Sequence, residues 1–254
     1  MFEMFKKPIP FKILMYLVLS FIGTSAFIYD GGTLLEAFYI YLGFYLLPAT
    51  IPIGYHRWLT HKHFEPYRPV RYFLLWCMVA TGASTPANFV YAHRVHHKFS
   101  DDLKKDPHHN KLGLIKLFFG DFTIADERVP MLDVYRQKDV LFVEKNYGKL
   151  QILNFIILWL INPHIAMLSF LFANVRCIFH ATLANFITHN GFRENRPTNI
   201  YTWWQFVNWE KLHKNHHDAP GYPNYEKDTK DFDIGYHVFK YLGKVNWPNR
   251  AKTS

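Results

Sequence analysis

The chain has 254 residues, 50% hydrophobic and 19% aromatic, a length suited to one domain and an aromatic load high for a soluble chain. Its two cysteines, Cys77 and Cys177, lie apart in apolar surroundings, which excludes an iron–sulfur cluster held in cis and a cysteine-based zinc site. The net charge of +9 comes without a nucleic-acid-binding motif, so a membrane surface or an acidic protein fits it better than nucleic acid. The mean hydropathy of −0.10 is an average over apolar spans and a charged cap.

In chain order, the first apolar run covers about 13–29. Lys6, Lys7 and Lys12 flank it as in a signal peptide, but the run is long and a second follows at once, so it is read as a retained helix. The second run covers about 33–53, with Glu36 near its start and Pro48 and Pro52 near its end, where proline kinks or ends a helix. Bulky Ile40 and Phe44, deep in this span, are candidates for the wall of an apolar substrate tunnel. The stretch 70–89 is apolar but closes on Gly82, Ser84, Thr85 and Pro86, and is read as a buried or interfacial cap helix. The third and fourth spans cover about 147–161 and 165–189. The fourth carries Asn174, Arg176, His180 and Asn185, and polar groups at membrane depth mark function or a buried network. The connectors Asp30-Gly31-Gly32 and Asn162-Pro163-His164 contain no Lys or Arg, whereas the remaining segments are rich in both. Both termini are therefore expected on the cytoplasmic side. The expected architecture is one all-α integral membrane domain over 1–254. Four transmembrane helices stand under a cytosolic helical cap, 54–146 and 190–254.

Three histidine clusters fall in that cap: His56-Arg-Trp-Leu-Thr-His61, His93-Arg-Val-His96-His97 and His213-Lys-Asn-His216-His217. Neutral imidazole is the commonest metal-ligand side chain. The H-x-x-H-H spacing sets three imidazoles on one helical face, because residues three and four apart are neighbours there. Eight of the 15 histidines lie in these clusters, and two copies of one spacing do not arise readily by chance. Together they describe a site large enough for more than one ion. His56 and His61 are five apart, about 140° around an ideal helix, so they face different metals or His61 lies just past the helix end. His189 is a ninth candidate, four residues after Asn185. His63 is a poorer one, and His108, His109, His164, His180 and His237 are read as ordinary polar residues. Nitrogen and oxygen donors without thiolate suit iron, manganese or zinc. Zinc has no redox chemistry. Asp101, Asp102, Asp106, Glu210 and Asp218 adjoin the clusters and are candidates for holding the histidine rings.

At this point the chain resembles the membrane-bound fatty acid desaturases, in particular the acyl-CoA (stearoyl-CoA, Δ9-type) branch. The motifs are HRWLTHKHF, HRVHHKFSDD with the downstream DPHH, NFITH, and HKNHHDAPGYPNY, spread from about residue 40 to residue 245. The resemblance implies four membrane helices under a cytosolic cap, a di-metal centre and a kinked tunnel for a saturated acyl chain. It implies metal ligation by His56, His61, His93, His96, His97, His189, His213, His216 and His217, with Asn185 reaching a metal through water. Two iron ions (Fe2+), with dioxygen as co-substrate, would then make a cis double bond. Animal members carry Arg-Asp before the second cluster, where it helps bind the CoA head group; here Tyr91 and Ala92 stand there. The acyl carrier is therefore open between CoA, acyl-carrier protein and lipid. No fused cytochrome b5 domain accompanies the motifs, so the electron carrier is expected to be a separate cytochrome b5 or ferredoxin. The expected setting is the bacterial inner membrane or the endoplasmic reticulum. Rival readings are a membrane hydroxylase or ketolase with the same ligands, a metal transporter or metal-binding membrane protein, and a zinc-dependent membrane hydrolase. Ligands gathered at one membrane surface, rather than spread through the spans, argue against transport.

Overall fold

The computed structural model describes residues 10–39, 49–82, 84–110, 127–169, 184–190, 196–201 and 209–248. Ile40, Phe44 and His180 lie outside them. Helix α1 (Pro10–Tyr29) ends at the Asp30–Gly32 turn. A capping box then opens the helical segment at 34–39. The Thr33 hydroxyl accepts from Glu36 N at 3.2 Å, and the Glu36 carboxylate accepts from Thr33 N at 2.6 Å. The free Glu36 oxygen meets the other connector, accepting from Asn162 Nδ2 at 3.2 Å and lying 2.9 Å from His164 Nδ1. Asn162 caps the helical segment at 163–169, accepting from His164 N at 2.7 Å, with Pro163 at its first position. The two turns expected on one side of the membrane are thus tied together.

The next helix, Ala49–Thr60, is a π-helix, and Pro52 stands inside it. The sequence places a kink or an end near Pro52; the helix does not end there but runs on to Thr60. After it, β1 (Phe64–Pro66) pairs antiparallel with β2 (Gly243–Val245), carrying the C-terminal segment back to the first histidine cluster. Only glycine fits at Gly243, where a Cβ would stand 2.2 Å from the Glu65 carbonyl oxygen.

Helix α2 (Arg68–Thr81) stops at Gly82, which adopts φ 60°, a conformation glycine takes without strain. Helix α3 (Pro86–Lys98) starts at an angle of 87° to it. Thr85 caps α3, and Glu144 reinforces the cap from outside, accepting from Ala87 N at 2.7 Å and from the Thr85 hydroxyl at 2.8 Å. Across this bend α3 brings its histidines to the first cluster, with the His93 ring 4.6 Å from that of His56. Short α4 (Leu132–Tyr135) leads into α5 (Lys138–Ile161). The expected third span starts at 147, but α5 begins nine residues earlier and runs through the expected cap boundary. Its first half buries Val140, Val143 and Tyr147 and carries Lys138, Asp139, Glu144, Lys145 and Lys149; its second half exposes Ile152, Ile157 and Leu160. Among the described residues no single helix is long and apolar enough to cross a membrane, and only the bent pair α2–α3 passes that test, jointly. The core between the π-helix, α2, α3 and α5 is built from Tyr55, Leu59, Leu74, Met78, Val90 and Val140. The Tyr147 hydroxyl donates to Met78 O at 2.9 Å, closing α5 onto α2. Short helices α6 (His213–Asp218) and α7 (Ile234–Phe239) complete the described elements.

Candidate metal centre

The local winding of each element decides where its imidazoles go. In the π-helix the backbone bond runs from His61 N to His56 O, 3.0 Å, so residues five apart stack on one side. His61, one residue past the helix end as the second of the two sequence alternatives has it, lies with His56 in one group. In α3, His93 and His97 are four apart and stay together, with Nε2 atoms 3.0 Å apart. His96 is turned away by about 100° per residue and enters a second group. Helix α6 repeats the pattern with the groups exchanged: His213 and His217 stay together at 3.1 Å, and His216 crosses to the first group.

Nine histidines thus form two all-imidazole groups. His56, His61, His93, His97 and His216 make one; His96, His189, His213 and His217 make the other; within each, the ligand-capable nitrogens lie within 4.8 Å of one another. Neighbouring Nε2 atoms are close: His56 to His216 3.0 Å, His216 to His97 2.8 Å, His213 to His189 2.9 Å. Two nitrogens at right angles about one centre, each about 2.1 Å from it, would be about 3.0 Å apart. The Nε2 atoms of His61 and His96 are buried with no hydrogen-bond partner, a costly state unless something else takes the lone pair. Burial first, and neighbouring imidazoles second, hold His61, His93, His96, His97, His213 and His216 well below the usual histidine pKa, and His217 down to about 2. All seven stay neutral at pH 7, the form that ligates metal.

Three carboxylates hold rings from behind. Asp106 Oδ1 lies 2.8 Å from His96 Nδ1, Asp101 Oδ1 3.0 Å from His189 Nδ1, and Glu210 Oε1 3.2 Å from His56 Nδ1. An ionised carboxylate only accepts, so the Nδ1 atoms of His96 and His189 carry the proton and leave Nε2 its lone pair, whereas the Glu210 contact with His56 Nδ1 is one of proximity and charge. Arg57 first opposes the desolvation of Glu210, followed by His56, and holds its carboxyl down to about 2. Asp102 and Asp218 sit elsewhere. Asp102 is exposed and accepts from the backbone N–H groups of Lys104 and Lys105; Asp218 is exposed and pairs with Lys214 and Lys227. Their place next to a cluster in sequence is not a place next to a ring, because each side chain leaves its turn on the solvent side. The Asn185 amide donates to His108 O at 3.0 Å, one turn before His189.

His63 belongs to neither group; its Nε2 donates to Pro220 O at 2.8 Å, and burial pushes its pKa down to about 3. His108, read from sequence as ordinary, lies beside the centre, with its ring 5.7 Å from that of His96. His164 and His237 pair with Glu36 and Glu226. The sequence reading also passed over Arg57. It is fully buried, forks onto Asp233 at 2.8 and 2.9 Å and donates to Glu210 at 3.1 Å. An arginine inside a histidine cluster was a signal for it; Asp233, 176 residues away, offered none. Arg94 likewise binds Asp133 at 2.7 Å and the terminal π-helix carbonyl of Thr60 at 2.9 Å, clamping α3 to the first cluster. A cavity of about 400 Å3 opens onto His61 and His97 between Arg94, Lys98 and Arg128.

No family model matches the chain. Curated relatives do. An sn-1 stearoyl-lipid 9-desaturase of Anabaena variabilis is 29% identical over 180 residues, covering 66% of this chain and 65% of the relative. Delta-9 acyl-lipid desaturase 1 of Arabidopsis thaliana is 27% identical over 206 residues, 76% of this chain and 67% of the relative. Icosanoyl-CoA 5-desaturase of Limnanthes douglasii is 25% identical over 228 residues, 84% of this chain and 64% of the relative. The chain spans about two thirds of the length of these relatives. Over most of its length, and with its histidines gathered as described, the chain is similar to several curated membrane fatty acid desaturases.

Proposed function

We propose that the chain is an oxygen-dependent di-iron acyl desaturase of Δ9 type, which removes two hydrogens from adjacent methylenes of a saturated acyl chain to leave a cis double bond. The observation that carries this reading is the gathering of nine histidines from distant segments into two adjacent all-imidazole groups. The donor set fits iron: it is nitrogen throughout, with no thiolate, and two buried Nε2 atoms lack any other partner. Iron bound there supplies, with dioxygen, the oxidant that no side chain provides. The balance is one dioxygen, two external electrons and two protons taken up with the two substrate hydrogens, giving two waters.

The protein's own residues hold and orient. Asp106 and Asp101 fix the His96 and His189 rings through their Nδ1 protons, Glu210 stands 3.2 Å from His56 Nδ1, and Asn185 would reach its ion through a water. The acyl chain would lie in an apolar tunnel that includes Ile40 and Phe44, in one orientation that sets the bond position. This reading includes four membrane spans with both termini cytoplasmic; the outward Ile152, Ile157 and Leu160 of α5 and Phe21 and Ile28 of α1 support an apolar surface turned to lipid, and the orientation rests on where Lys and Arg fall in the sequence. Several relatives are named for acyl lipids, which favours a lipid-linked acyl chain as substrate. The Tyr91 site agrees: its hydroxyl donates to Glu127 O at 3.0 Å and accepts from Glu127 N at 3.1 Å, so it ties the backbone at 127 instead of presenting a charge to CoA. A separate acidic carrier, a cytochrome b5 or a ferredoxin, suits the cationic rim of Arg94, Lys98 and Arg128.

The test is fatty acid analysis by gas chromatography–mass spectrometry of a desaturase-deficient host expressing the chain, with a double His96→Ala, His97→Ala control. A new monounsaturated acid, absent from the control, is the expected result. Hydroxylated or keto acids instead would assign the chain to a sister oxygenase reaction and overturn the desaturase reading.

A further inference from the structure

Arg57 is buried completely, and a buried guanidinium is costly unless its donors are all well spent. Nη1 and Nη2 fork onto the two Asp233 oxygens, Nη1 also donates to Pro223 O at 3.0 Å, and Nε donates to Glu210 Oε1 at 3.1 Å. That same oxygen is the one 3.2 Å from His56 Nδ1. Beneath the guanidinium, 3.9 Å from its carbon, lies the ring of Tyr225, and the Tyr225 ring in turn lies 4.8 Å from that of His216. Space for the fork is kept open by Gly235, where a Cβ would come within 3.0 Å of it. Two routes therefore run from Arg57 into the five-histidine group, one through a carboxylate to His56 and one through an aromatic face to His216. The four-histidine group shows a different support: His96 and His189 rest on Asp106 and Asp101, which lie just after α3.

We propose that Arg57 is a positioning residue for the five-histidine group alone, acting on His56 through Glu210 and on His216 through Tyr225, with Asp233 as its anchor. The inference rests on the reading of the nine histidines as metal ligands. Its planar fork is what the geometry requires, because Oε1 must be held where His56 can reach it while Asp233 takes the opposite edge. A lysine ammonium keeps the charge but cannot hold two carboxylates in that fixed relation.

The experiment is titration of the full-length, metal-stripped protein in nanodiscs with Co2+, read by ligand-field absorption and by bound cobalt per chain. Glu210→Gln, Arg57→Lys and Asp101→Asn are compared with the native chain, and His61→Ala marks which band belongs to the five-histidine group. Folding of each variant is checked by circular dichroism and size exclusion. Glu210→Gln and Arg57→Lys are expected to weaken the band lost in His61→Ala by about 10–100-fold and to leave the other unchanged. Asp101→Asn is expected to do the reverse. Glu210→Gln leaves the Arg57–Asp233 pair in place, so it decides the question even if Arg57→Lys fails to fold. Equal weakening of both bands, or native affinity at both, would overturn the inference. A native chain that binds no Co2+ would defeat the ligand reading first, and this inference with it.

Discussion

The two histidine groups draw on the same two helices yet are supported in opposite ways. The five-histidine group rests on an ion-pair network in which buried Arg57 joins buried Asp233 to half-buried Glu210, and it opens onto a cavity with a cationic rim. The four-histidine group rests on two carboxylates of the turn after α3, and three of its four members are buried. The difference teaches that one sequence pattern, H-x-x-H-H, serves two sites at once. Each copy gives its pair of residues four apart to one group and its middle histidine to the other, so both helices contribute to both groups.

Acid should break both halves together. The folded pKa values of seven of these histidines lie well below 6.5, so under pH 6.5 the unfolded chain binds protons that the folded chain refuses. Stability then rises with pH. The metal-free protein should be unaffected above pH 7 and lose stability as pH falls from about 6.5 towards 5, at up to about 1.4 kcal/mol per pH unit for each such group. Thermal melts across that range check it; a flat profile contradicts neutral burial. Asp233→Ala should break the five-histidine side by leaving Arg57 short of its main partner. A loss of about 3–5 kcal/mol by denaturant unfolding is expected. Asp106→Asn should act on the four-histidine side, lowering metal affinity there by about 10–100-fold with little change in the melt. Lys214→Ala, which removes an exposed partner of Asp218 on the outer face of α6, should cost under about 0.5 kcal/mol and leave both ions bound.

Much of this centre was legible in the sequence, because imidazole identity and helical spacing are local facts. His93 with His97, and His213 with His217, follow from residues four apart sharing a face. The joining of His56 with His61 did not follow, since ideal α-helical winding separates them and only the i→i+5 bond of the π-helix brings them back. Carboxylate roles divided by side-chain direction: Asp101 and Asp106 turn inward while neighbouring Asp102 caps a turn in solvent. Arg57 escaped notice because its meaning lies in partners 153 and 176 residues away. The start of α5 at Lys138 was hidden for a different reason. Its first half is charged on one side and packs with Val140 and Val143 on the other, so an apolar-run reading begins only at Tyr147.

The most direct measurement is the iron content of the protein after anaerobic loading with Fe2+, beside His61→Ala from one group and His217→Ala from the other. Two separate all-imidazole sites predict two irons per native chain and one in each variant, with different spectroscopic signatures for the iron that remains. A native chain that takes up one iron or none, or variants that both keep two, would contradict a two-ion centre.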